Sequence, residues 1–155
     1  MAFRILTVDF LSEDAPKQLV RSLKDTGFAV IKNHPISSEL LDEVYKNWKD
    51  FFNSKKKHSY LFHKKEQDGY FPFQSENAPG YDNKDLKEFY HIYPWGRYPD
   101  IVGEDTLQFY EYIQYLGNEL LDWIDQASPK HISKKFSSPL VDMVEDTEQN
   151  LLRII

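Results

Sequence analysis

A mixed α/β (α+β) domain, with helices outweighing a few scattered strands, is the fold class the sequence predicts. Three observations carry it. Two stretches, at 40–52 and 107–124, repeat apolar side chains at i, i+3, i+4 and i+7, the pattern of an amphipathic helix. Short runs rich in β-branched and aromatic residues stand apart from one another before, between and after them. Aromatic residues make up 15% of the chain, with 11 Phe, 10 Tyr and 3 Trp, enough to build a core and to exclude disorder.

The elements follow in order. ILTVDF (5–10) predicts a strand. Ser12 is placed to cap a helix, with Glu13 and Asp14 in its first turn and Pro16 tolerated that early. Leu19, Val20 and Leu23 give it one apolar stripe, and Gly27 stops it. FAVIK (28–32) predicts a second strand, and Asn33-His34-Pro35 a turn in which His34 makes a hydrogen bond. Ser37 or Ser38 caps the next helix, whose apolar positions are Leu40, Leu41, Val44, Trp48, Phe51 and Phe52. The basic stretch 55–65 reads as a solvated loop with room for a short helical turn.

From 67 to 99 the composition turns to Tyr, Phe, Pro, Gly and Asn, that of an ordered loop. Within it LKEFYHIY (86–93) predicts a strand closed by Pro94. Asp105 or Thr106 opens a long helix that ends at Ser128-Pro129, with Leu107, Tyr110, Ile113, Gly117, Leu120 and Ile124 on one face. A last helix is expected over part of 133–145, and QNLLRII (149–155) begins a strand.

At 155 residues the chain fits one domain. A net charge of −6 and a pI near 5.3 argue against general nucleic-acid binding. No apolar run is long enough to span a bilayer. The opening MAFRILTVDFLSED lacks the layout of a signal peptide, and there is no cysteine; both fit a cytoplasmic protein. Without cysteine there is no disulfide, thiolate catalysis or Cys-ligated metal site.

Catalytic chemistry is hard to find. None of the five histidines has a carboxylate two residues later. His63 and Glu66 have H-x-x-E spacing, but two ligands do not make a metal site and two lysines lie between them. His91, on an aromatic strand, reads as a satisfied core histidine, and His58 and His131 as exposed. There is no Gly-rich phosphate loop and no nucleophile elbow. No catalytic or metal-binding residue is therefore assigned. The aromatic loop serves either as a lid or pocket wall, or as cover for a core edge formed by Tyr70, Phe71, Phe73 and Tyr81.

The order of these segments resembles the N-terminal half of iron(II)- and 2-oxoglutarate-dependent oxygenases of the isopenicillin N synthase-like family. VDF is similar to that family's opening strand. TGFAVIKNHPIS is similar to its G-F-x-x-[VI]-x-N-H-x-[IV] segment, through Gly27, Phe28, Val30, Asn33, His34 and Ile36. The helix ending in WKDFFN resembles the family's Phe-Phe helix, and GYFPF and DLKEFYHI its G-Y and D-x-K-E-x-[FY] segments. LLRII resembles the start of the first strand of the jelly-roll core.

The resemblance implies that 1–150 is a non-haem dioxygenase N-terminal region and 151–155 the start of the first jelly-roll strand of a missing catalytic domain. It implies Fe(II), 2-oxoglutarate and a small-molecule substrate for the parent protein, an oxidoreductase. The family's H-x-D pair and R-x-S segment do not occur here, so the chain alone is expected to be inactive and to bind neither cofactor. Of its residues, Tyr70 and Phe71 follow the G-Y step that faces substrate in the family; core packing is the competing role. Asn33 and His34 match a signature of structural role. The alternatives are one chain of a two-chain oxygenase and a non-catalytic binding or regulatory module. An exposed LLRII segment would mark a fragment.

Overall fold

The computed structural model describes residues 4–145 and 147–155; the first three residues of the stretch read for a signal peptide lie outside it. The chain divides into two units. One combines the segment up to Ser38 with Glu111–Thr147, the other Glu39–Tyr110 with Glu148–Ile155.

In the first unit, β1 (Thr7–Asp9) and β2 (Val30–Lys32) pair in parallel, with Thr7 opposite Val30. A parallel pair needs a crossover, and α1 (Ala15–Thr26) supplies it, burying Ala15, Leu19 and Ser22. Gly27 ends α1 at φ 79°, its N–H donating to the Leu23 carbonyl, in the left-handed conformation that glycine adopts without penalty. The cap residue is Asp14 rather than Ser12. The Ser12 side chain and carbonyl are taken up in a turn, accepting from the N–H groups of Asp14 and Ala15, so the acidic pair precedes the first turn. Asn33, at φ 59°, donates from its side chain to Asp9 at 2.9 Å, tying the VDF and NHP stretches together. His34 is exposed, and its expected hydrogen bond is not found among the described residues.

Helix α3 (Asp105–Ala127) carries Trp123, whose ring lies 5.0 Å from Phe10. The last helix expected over 133–145 is corrected. A short α4 (Lys130–Ser133) precedes that range, and a single 3-10 turn, Val141–Met143, lies within it. Pro139 has no N–H to continue a helix, and the next N–H, of Leu140, is taken by Asp125 at 2.6 Å.

In the second unit, β3 (Gly69–Phe71), β4 (Phe89–Ile92) and β5 (Leu152–Ile154) form an antiparallel sheet in that order. β3 lies in the segment read as loop; a run of three residues is too short for its period to show. β4 falls within the predicted 86–93 strand. β5 is the strand expected in LLRII, and it is paired on one side, Arg153 opposite His91 and Ile154 opposite Tyr90. Leu151 and Ile155 are exposed.

Helix α2 (Ser38–Asn53) buries Val44, Trp48 and Phe51 in one core with Tyr70, Tyr90, Ile92 and Val102; Leu152 and Ile154 pack against it. The Trp48 indole donates to the buried Thr106 hydroxyl at 2.8 Å. The fold is the expected mixture of helices and small sheets, with no closed barrel among the described residues.

Candidate functional site

Side chains alternate across a strand, so the sheet that turns Tyr70, Tyr90 and Ile154 into the core turns Phe71, Phe89, His91 and Arg153 to its other face. Phe89 stacks on Phe71 with ring centres 4.3 Å apart, and Phe71 meets Phe62 at the same distance. Two cations lie over the Phe89 ring, the Arg153 guanidinium at 4.9 Å and the Lys87 ammonium at 5.3 Å. The aromatic track continues through His91 and Tyr93 to Trp95, the last two rings stacked at 4.7 Å. Tyr93 and Trp95 line an open depression of about 460 Å³ with Lys65, Glu66, Gln67, Glu148 and Gln149.

His91 is held at both nitrogens. Nε2 accepts from Arg153 Nε at 2.9 Å, and Nδ1 lies 3.2 Å from the Gln67 carbonyl. An arginine N–H can only donate, so Nε2 is an acceptor and the ring is the neutral Nδ1–H tautomer, donating to Gln67. Burial above all, with the charge of Arg153 adding to it, holds the imidazole below the ordinary histidine range. The expectation of a satisfied core histidine therefore matches the geometry.

Two ionic clamps support this face. Lys57 donates to Glu88 at 2.8 Å and to the Phe52 carbonyl at 2.6 Å, and the Tyr70 hydroxyl donates to the same Glu88 oxygen at 2.5 Å. Burial disfavours the Glu88 charge, but the bonds from Lys57 and Tyr70 outweigh it and hold the carboxyl below the usual range. Asp68, whose side chain is 2% exposed, accepts from the Arg97 backbone N–H at 2.6 Å and from its guanidinium at 2.9 and 3.0 Å. Burial again opposes that charge, and Arg97 prevails.

Tyr70 and Phe71, the two residues singled out in the sequence, are neighbours that face opposite ways. Tyr70 is 1% exposed in the core, and Phe71 is 8% exposed on the Phe89 face. The short helical turn for which the basic stretch has room is a 3-10 helix, Lys55–Tyr60, capped by Ser54. The solvated reading is corrected at Lys57, which is half-buried on Glu88. His63 and Glu66 belong to a turn, with the Glu66 N–H donating to His63 Nδ1 at 3.3 Å. His58 and His131 are exposed, as expected. The Asp68–Arg97 and His91–Arg153 pairs were not anticipated. The alternation in FYHI places Phe89 and His91 on one face, but the partner strand is 62 residues away from His91 and no local pattern reveals it.

Comparison with known proteins places these features in a family context. A family profile described as non-haem dioxygenase in morphine synthesis, N-terminal, matches residues 8–110. A solved structure of a candidate oxygenase from Shewanella oneidensis is 42% identical with a TM-score of 0.86, over 97% of this chain and 53% of that one. A candidate 2OG-Fe(II) oxygenase family protein from Caulobacter crescentus is 25% identical with a TM-score of 0.63, over 79% of this chain and 48% of that one. Neurospora crassa T7H, solved with alpha-KG and thymine, shares the fold at 20% identity and a TM-score of 0.62, over 79% of this chain and 48% of that one. The chain thus spans about half the length of each. No curated protein matches it.

Proposed function

The chain belongs to the non-haem dioxygenase N-terminal family, and on that premise we propose that it is the N-terminal region of an Fe(II)- and 2-oxoglutarate-dependent oxygenase that oxidises a small molecule. The observation that carries this reading is the 42% identity to the Shewanella oneidensis protein over 97% of the chain.

The division of labour follows from the donor set. Among the described residues no three His, Asp or Glu side chains converge to hold a metal, and the sequence has neither an H-x-D pair nor an R-x-S segment. These residues do not fit Fe(II), so no catalytic step is assigned to them. In this reading 1–150 is the N-terminal region, and 151–155 opens the first strand of a jelly roll supplied by a C-terminal catalytic domain. The pairing of β5 with β4 supports it, because it would align that jelly roll with the Phe71–Phe89 face.

Tyr70 and Phe71 remain the residues proposed to serve the substrate pocket, Phe71 directly and Tyr70 from the core side. Phe71 offers its ring as pocket wall. Tyr70 acts from behind, fixing Glu88 and through it the start of β4. A cytoplasmic location belongs to the same proposal; among the described residues no helix is long and apolar enough to cross a membrane.

The test is turnover. The polypeptide isolated from its host, supplied with Fe(II), O2 and a reductant in place of the unidentified substrate, should convert 2-oxoglutarate to succinate and CO2, while the 155-residue chain should not. Turnover by the short chain would contradict the proposed incompleteness, and none by the iron-loaded native polypeptide would contradict the oxygenase reading.

A further inference from the structure

We propose that Arg153 is a carboxylate-binding residue, and that the Phe71–Phe89 face beside it takes the apolar body of the same ligand; identifying that ligand with the substrate rests on the oxygenase reading above. The argument starts from the charge of Arg153. Lys57 is paired with Glu88, Arg97 with Asp68, and Lys87 with Glu76 and Asp85. Arg153 has no carboxylate within ion-pair distance among the described residues, although the chain is acidic at net −6. Among the described residues its side-chain hydrogen bond runs from Nε to a neutral imidazole, which orients the guanidinium without cancelling its charge.

The geometry then selects the ligand. With Nε engaged, the Nη groups remain, and a guanidinium presents such groups as a planar fork that matches a carboxylate. Contact with the Phe89 ring at 4.9 Å and the bond to His91 together limit the motion of the side chain. A site with a single uncompensated charge suits a monoanion better than a phosphate dianion, because the neighbouring Lys87 already has Glu76 and Asp85 as partners. The adjoining surface is aromatic, formed by Phe89, Phe71 and Phe62. The chemistry is that of an aryl or alkyl monocarboxylate.

The carboxylate could come from such a ligand or from 2-oxoglutarate, and titration of the 155-residue chain separates the two. Phenylacetate, phenylacetamide and 2-oxoglutarate are added in turn, with calorimetry and NMR of the Arg153 Nε–H and His91 ring as readouts. The expected result is saturable phenylacetate binding that moves both resonances. It should weaken about tenfold or more when the ligand is phenylacetamide or the chain carries Arg153→Gln, the scale of a charge-assisted bond. Lys46→Gln should change it by less than about twofold, because that lysine is exposed on α2 and paired with Glu43, away from the Phe89 face.

The amide ligand keeps the test independent of whether Arg153→Gln folds. No saturation, equal binding of the amide, or equal binding by folded Arg153→Gln would overturn the proposal. So would binding of 2-oxoglutarate without phenylacetate, which would remove the apolar body. The titration needs neither iron nor turnover, so its failure leaves the family reading standing, and failed turnover leaves the binding result standing.

Discussion

Asp68 shows what a single side chain does in this molecule. It is buried, and it satisfies both the backbone and the guanidinium of Arg97. Arg97 in turn donates to the Leu61 carbonyl at 2.9 Å. Removing the carboxylate strands those donors, so Asp68→Ala should cost about 2–3 kcal/mol in urea unfolding. The Arg97 side chain is 42% exposed, which keeps the figure below that of a fully buried pair. Glu88→Ala should cost about 1–3 kcal/mol, because it unpairs Lys57 and the Tyr70 hydroxyl together.

The pH dependence follows in sign from the same groups. Asp68 and Glu88 are held below the usual carboxylate range, so their contribution is complete above about pH 4.3 and is lost as pH falls through their folded values. His91 is also held low. Its contribution is complete above about pH 6.5 and is lost as pH falls through its folded value, where the ring must charge beside Arg153. A urea-stability profile should therefore begin to fall at the acid side of neutrality, and His91→Gln should flatten that first decline while leaving the carboxylate decline in place.

At the scale of elements, two glycines separate structural need from sequence convenience. Gly69 opens β3 at φ 103°, and a Cβ there would lie 2.5 Å from the Tyr60 carbonyl oxygen and 2.7 Å from Arg97 Nη2. Gly69→Ala should destabilise by roughly 2 kcal/mol or more, through backbone strain and displacement of the Arg97 clamp. Gly117 lies inside α3, and a Cβ there meets nothing within 4 Å. Gly117→Ala should stabilise by about 0.5–1 kcal/mol, because alanine loses less entropy in a helix. Thermal melts of the two variants should move in opposite directions.

The same contrast explains how much could be read before the structure. The Trp48 and Phe51 stripe of α2, the Gly27 stop and the long α3 were legible because their signals are local and repeat over several turns. β3 was not, because three residues of GYF inside an aromatic segment carry no readable period. The clamps were not legible for a related reason. Asp68 and Arg97 lie 29 residues apart, and Lys57 and Glu88 lie 31 apart. Charge pairing across such separations is set by the tertiary fold that brings these segments together, which no spacing rule in the sequence encodes. Of the candidate site, Phe71 was visible through the resemblance, and Arg153 entered only through its place opposite His91.

At the scale of the molecule, the central claim is that this chain is the N-terminal region of a larger oxygenase. The family profile covers residues 8–110, and the chain aligns with 53% of the Shewanella oneidensis protein. The most direct test is the intact mass of the polypeptide as its host produces it. The account predicts a mass above the 18.4 kDa of these 155 residues by roughly ten kilodaltons or more, the size of one further domain. An H-x-D pair and an R-x-S segment should lie in the added sequence. A mass of 18.4 kDa would contradict the account and make a two-chain enzyme or a non-catalytic module the working explanation.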